Sequence, residues 1–202
     1  MSFARTTFKR PSLASTGLAF VLVVMLVACD SGTESATPRS APATAQSGAG
    51  QAITITSTAF ADGQSIPQQY SCDGRSISPP LQWGEPPAGT QSFALIVEDP
   101  DAPGGVYTHW LLYDLPAATR SLPENVPAAE SLDGGGTQGR NSGGKIGYSG
   151  PCPPSGTHHY IFKLYALDTK VGLAAGADKA QLEQAMDRHV LATGELVGTY
   201  SK

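Results

Sequence analysis

The stretch Ser92-Phe-Ala-Leu-Ile-Val-Glu-Asp-Pro-Asp-Ala-Pro-Gly-Gly-Val-Tyr-Thr-His-Trp-Leu-Leu-Tyr-Asp-Leu115 contains two strand-like runs and the turn between them. Ser92 to Val97 is a continuous apolar run, the pattern of a strand covered on both faces. Val106 to Leu115 is longer and rich in aromatic and aliphatic residues. Between them, three carboxylates are interleaved with Pro100, Pro103, Gly104 and Gly105, residues that set or free the backbone in tight turns. Working outward, Ile53-Thr-Ile-Thr56 alternates apolar with polar, His158 to Leu167 repeats the strand pattern, and Gly194 to Tyr200 reads as a closing strand. Pro/Gly clusters at 78–90, 99–105 and 150–156 punctuate the series. Several short strands with turns between them predict a sandwich or barrel.

One helix is expected, over Ala177 to Ala192. Leu182, Ala185, Met186, His189 and Val190 recur at helical spacing, Asp178 is placed to cap the start, and Gly194 lies just past the end. His189 falls on the apolar stripe and reads as a hydrogen-bonded core residue. The segment from Pro116 to Gly150 is long, carries six glycines between Gly134 and Gly144, and has no periodicity; such loops are usually functional or mobile.

The chain has 202 residues, with 23 Gly, 16 Pro and only 15% charged residues. That excludes a coiled coil or a charge-rich disordered chain and leaves room for one sizeable core. Net charge is −4, and Arg5, Lys9 and Arg10 all lie before the first acid, Asp30, so the body is more acidic still. Without a basic patch, nucleic acid is not an expected partner.

Residues 1–28 read as a secretory signal: a basic start, then an apolar run from Leu18 to Ala28 too short to cross a bilayer comfortably. Leu26-Val-Ala-Cys29 resembles the bacterial lipobox, in which cleavage precedes a cysteine that is then acylated, here Cys29. Residues 29–50 are small and polar, lack any aromatic or larger aliphatic residue, and read as a disordered tether with a reach on the order of 25 Å. The folded domain is expected over 51–202, exported and lipid-anchored to the cell membrane on its periplasmic or extracellular face. With Cys29 acylated, Cys72 and Cys152 remain; an oxidising compartment allows a bridge between them, and two buried thiols are the alternative.

Polar chemistry gathers in two places. The first is Asp99-Pro-Asp101, running on to His109; the second is Gly150-Pro-Cys-Pro-Pro-Ser-Gly-Thr-His-His-Tyr160. Period two puts His158 and Tyr160 on one strand face about 7 Å apart, where ring N–H and phenol O–H could grip a small anion. Each residue also has an ordinary reading: the aspartates as turn formers, the histidines as satisfied core groups. Zinc on His109, His158 and a carboxylate is a rival without a close-spaced metal motif. A thiol enzyme at Cys152 is weaker still, and Ser149 misses the G-x-S-x-G elbow.

Taken with Tyr70-Ser-Cys-Asp-Gly74, Ser78-Pro-Pro-Leu81, Tyr165-Ala-Leu-Asp168 and Glu195-Leu-Val-Gly-Thr-Tyr200, these strings resemble the phosphatidylethanolamine-binding protein family, in its bacterial and archaeal Raf kinase inhibitor-like branch. The resemblance runs from about Ile53 to Tyr200. It implies an all-β fold, an antiparallel two-sheet Greek-key sandwich with one or two peripheral helices. It implies a cavity for a phosphate-like anion or phospholipid headgroup bound by Asp99, Asp101, His109, Pro153 or Pro154, His158 and Tyr160. It also implies a cis Ala102–Pro103 bond, no cofactor, a binding rather than catalytic role, and scope for regulating a protein partner as a protease- or kinase-type inhibitor. A metal- or thiol-dependent hydrolase at the same cavity is the alternative.

Overall fold

The computed structural model describes residues 51–202; the signal expected over 1–28, the acylation expected at Cys29 and the tether expected over 29–50 lie outside them. The strands are β1 (Gln51–Ala52), β2 (Ile55–Thr56), β3 (Gln64–Ser65), β4 (Leu81–Trp83), β5 (Ser92–Asp99), β6 (Tyr107–Pro116), β7 (Ser121–Leu122), β8 (Thr137–Gln138), β9 (Thr157–Leu167) and β10 (Val190–Ser201), with one α-helix, α1 (Lys179–Met186). A large sheet runs β1-β10-β9-β5-β6-β8, with β3 also on β10, and a small one runs β2-β4-β7. The long strands pair antiparallel. The expected purely antiparallel pattern fails at two places: β1 and β3 each add parallel to β10, near its two ends. At twelve residues, β10 offers an edge long enough for both, and they cover part of what would be an open edge.

Every residue of β5 is buried, as its apolar run predicted. One face, with Phe93, Leu95 and Val97, joins Trp110, Leu112 and Phe162 in a core shared with Ile55, Leu81, Trp83 and Leu122 of the small sheet. The other, with Ala94 and Ile96, packs with Leu111 and Tyr113 beneath Leu182 and Met186 of α1. The sheet is therefore sandwiched between a second sheet and a helix.

The helix is half its expected length. It starts where predicted, in a capping box: the Asp178 side chain accepts from Gln181 N, and the Gln181 side chain accepts from Asp178 N. It stops at Met186, and Arg188 takes a left-handed φ of 64°. Val190 and Ala192 then pair with Leu167 and Ala166 of β9. Strand pairing along a long neighbour thus overrides a helical pattern that local spacing alone had extended. His189, expected in the core, is exposed, and its Nδ1 lies 2.7 Å from Asp168 Oδ1.

The long 116–150 segment is anchored rather than free. Trp110 Nε1 donates to Gln138 Oε1 at 2.7 Å, and Gln138 Nε2 donates to the Pro127 and Ala129 carbonyls, both at 2.7 Å. Gln138 is wholly buried, and these bonds satisfy its amide on both sides. Among the described residues all peptide bonds are trans, Ala102–Pro103 included, against the cis bond implied by resemblance.

Glu98, on the helix-side face of the sheet, is also buried, and it binds both Lys163 of β9 and Lys179 of α1, the latter at 2.6 Å. Burial would raise its carboxyl pKa, but the two ammonium groups outweigh this and hold it below the ordinary value. Lys179 agrees: burial alone would lower its pKa, yet Glu98 raises it. The carboxylate's stabilising contribution is thus present above the unfolded glutamate value and is lost as pH falls through the lower folded value. Urea unfolding should show stability falling below about pH 4.5, with a shallower fall in Glu98→Gln; identical pH profiles would contradict the assignment.

Candidate functional site

The C-terminal end of β5 and the N-terminal ends of β6 and β9 meet at a cavity of about 520 Å³. Asp99, His109, Pro154 and His158 line it, with the turn Ala102–Val106 on one side and Ser142, Ser149, Gly150 and Cys152 on the other. The turn reverses through Gly105, whose φ of +100° suits a residue without Cβ. Gly150 is required for a different reason: a Cβ there would sit 2.4 Å from the Tyr70 carbonyl oxygen.

Asp99 organises this end of the molecule. Its Oδ1 accepts from the Asp101 backbone N–H at 2.8 Å, closing the turn. Its Oδ2 lies 2.7 Å from His158 Nδ1, with both side chains more than nine-tenths buried. An ionised carboxylate only accepts, so His158 carries its proton on Nδ1, and Nε2 is the ring's remaining polar atom.

His109 is held in the same way by a different acceptor. Its Nδ1 donates to the Ser149 carbonyl at 2.7 Å. Burial lowers its pKa below the ordinary histidine value, opposed by that carbonyl and by the charge of Asp99. In neutral solution the ring is uncharged, with the lone pair on Nε2. Tyr107 and Tyr160 flank it, ring centroids 4.8 and 5.1 Å away, the latter edge-on.

The remaining expected residues are placed differently. Tyr160 shares the buried face of β9 with His158 but stands behind the cavity wall, against His109. Its hydroxyl is buried; Cys152 and Asp99 lie close enough to influence it, but neither meets hydrogen-bond geometry. Burial, then the charge of Asp99, raises the phenol's pKa, so it stays protonated. Asp101 points outward, and its Oδ2 accepts from His159 N at 2.8 Å and lies 2.7 Å from His159 Nδ1. Pro153 is buried off the wall, while Pro154 is on it.

Tyr107 and Ser142 line the cavity and were not singled out from sequence, and Ser149, weighed there only as a nucleophile and set aside, lines it too. Tyr107 was findable, two residues before His109 and so on the same strand face. The serines were not: Ser142 reaches the site because its backbone N–H donates to the Thr108 carbonyl and its Oγ accepts from Thr108 N, each at 2.9 Å. No sequence period marks such a pairing.

Cys72 and Cys152 form a disulfide, with Cα atoms 5.4 Å apart, so neither is a free thiol. Among the described residues no three His, Cys, Asp or Glu side chains converge as a metal cage. The zinc arrangement is not assembled: Asp99 spends its two oxygens on Asp101 N and His158 Nδ1, so no carboxylate joins the two histidines as a third ligand.

The sequence profile of the phosphatidylethanolamine-binding protein family matches residues 56–201. A UPF0098 protein of Methanothermobacter thermautotrophicus is 50% identical over 144 residues, covering 71% of this chain and 95% of its own. A Mycobacterium tuberculosis protein named as a lipoprotein, LppC, is 42% identical over 205 residues, covering 96% of this chain and 98% of its own. A crystal structure of the Chlamydia trachomatis protein CT736, described as a homologue of the phosphatidylethanolamine-binding proteins, superposes with a TM-score of 0.69 at 44% identity, covering 75% of this chain and 98% of that one.

The two aspartates should differ sharply on truncation. Asp99→Ala strips the partner from a buried histidine and should cost about 3 kcal/mol of unfolding free energy. Asp101→Ala breaks an exposed pair and should cost less than about 1 kcal/mol. Equal losses in chemical denaturation would contradict the role given to Asp99.

Proposed function

The chain belongs to the phosphatidylethanolamine-binding protein family, and from that premise we propose that it is a membrane-tethered binding module whose cavity takes a small phosphate-like anion, free or as a phosphorylated lipid headgroup. One observation carries the reading. Two buried histidines in the cavity wall each have Nδ1 committed to an acceptor, which leaves Nε2 of both rings for a ligand. Asp99, His109, His158 and Pro154 form the binding surface in this reading. Asp101, Pro153 and Tyr160 support it from outside the wall: Asp101 clamps the turn to β9, and Tyr160 sets the His109 ring.

The charge balance determines how an anion enters. Asp99 is a carboxylate in the cavity wall, with its oxygens bonded to Asp101 N and His158 Nδ1. A further negative charge needs a proton on His109 Nε2 or on the anion itself, where it bonds the Nε2 lone pair. The family name supports a ligand of phospholipid type, and while Cys152 is bonded to Cys72 it offers no thiol nucleophile to a hydrolase. A non-catalytic role requiring no cofactor is the reading these features favour. A role in regulating a protein partner would act through the same rim.

The domain organisation proposed is a signal over 1–28, acylation at Cys29, a tether to residue 50 and the binding domain over 51–202. The match to the mycobacterial lipoprotein, which covers 96% of the chain, supports it. No helix among the described residues is long and apolar enough to cross a membrane. In this reading anchoring rests on Cys29: Cys29→Ser should release the chain from the membrane pellet, and its retention there would contradict the anchor.

The pH dependence of binding follows from His109. Its pKa is lowered in the free protein, and a bound anion raises it, so affinity strengthens as pH falls through the interval between the two. Calorimetry with phosphate and with phosphoethanolamine, on the full chain in a phosphate-free detergent, should give markedly tighter binding at pH 5.5 than at pH 8. His109→Ala and His158→Ala should abolish it. Affinity flat across this range to within about 0.3 log units would overturn histidine-mediated binding.

A further inference from the structure

We propose that the Cys72–Cys152 disulfide is a thiol–disulfide exchange site at the mouth of the cavity, with a dithiol reductant of the exported compartment as its co-reactant. Three observations converge on it. Both cysteines are exposed, although cystine is usually among the most buried of side chains. Cys152 forms part of the cavity wall. The ammonium of Lys202 lies 3.6 Å from Cys72 Sγ and 3.7 Å from Cys152 Sγ.

The lysine is held over the bridge. Its Nζ is 3.3 Å from Asp73 Oδ1, and its backbone exchanges two hydrogen bonds with Gly156, at 2.9 and 3.1 Å. Exchange begins when a thiolate attacks one sulfur and the electron pair of the S–S bond leaves on the other. A cation in contact with both sulfurs stabilises whichever departs. Exposed disulfides are also the ones most open to reduction.

One thiolate of the reductant forms a new S–S bond to Cys72 or Cys152, and the native S–S bond breaks to release the other as a thiolate beside Lys202. The second thiolate of the reductant then attacks its own sulfur in the mixed disulfide and releases the remaining cysteine. Two electrons have passed to the Cys72–Cys152 pair, and the reductant leaves as a disulfide. Its two protons go to the released thiolates or to solvent.

Reduction does not require the two segments to separate. Cys72 N donates to the Pro151 carbonyl at 3.0 Å, and Gly150 N donates to Ser76 Oγ at 2.9 Å, so the loop stays docked when the bridge opens. What changes is the wall of the cavity, where a free Cys152 thiol replaces half of a cystine.

The test is the rate at which dithiothreitol reduces the full chain under native conditions, read by alkylation and mass spectrometry of the Cys72 and Cys152 peptides. The expected rate is first order in dithiothreitol. Lys202→Met should slow it about threefold, the effect of raising the leaving thiol's pKa by about one unit, and Lys202→Arg should restore it. A rate independent of dithiothreitol concentration would show that reduction waits for unfolding and would overturn the proposal. So would a Lys202→Met chain reduced as fast as the native one.

Discussion

A single buried carboxylate, Asp99, holds this end of the fold together. Through Oδ1 it closes the turn that leads from β5 into β6, and through Oδ2 it fixes the proton of His158. The turn forms one wall of the cavity and the histidine another, so both depend on the same group. A carboxylate taken out of water in this way is tolerable only with each oxygen bonded. The bonds that satisfy Asp99 are therefore the ones that shape the site.

The pleat of the strands explains how two adjacent acids come to serve different ends. Glu98 faces the helix and is neutralised by Lys163 and Lys179, which tie α1 and β9 to the sheet. Asp99, one residue on, faces the cavity and is met by His158. On β9 the same alternation puts His158, Tyr160 and Phe162 inward, while His159 and Lys163 meet Asp101 and Glu98 on the other side. Lysines suit a permanent structural tie, since they stay charged across the physiological range. A histidine suits a site where protons are exchanged with a ligand.

Much of this was legible in the residues. The unbroken run Ser92–Val97 announced a strand covered on both faces, and a second sheet on one side with a helix on the other provides that cover. Period two placed His158 and Tyr160 on one face. What local pattern could not supply was competition over distance. Helical spacing continued past Met186, but β9 offered Val190 and Ala192 a strand partner, and His189 went to the surface with them. Ser142 and Ser149 entered the cavity wall through backbone pairing with β6, which leaves no trace in hydropathy. The depth of Tyr160 behind His109 is likewise a matter of packing between strands, and spacing along one strand does not report it.

The most direct test of the central claim is to follow the ring nitrogens of His109 by 15N NMR in the full chain at neutral pH as phosphate is added. Nε2 should begin as a bare lone-pair nitrogen and move saturably to a hydrogen-bonded or protonated one, while Nδ1 keeps its proton on the Ser149 carbonyl. An Nε2 signal that does not move at high phosphate would mean that the cavity does not hold its anion through this histidine.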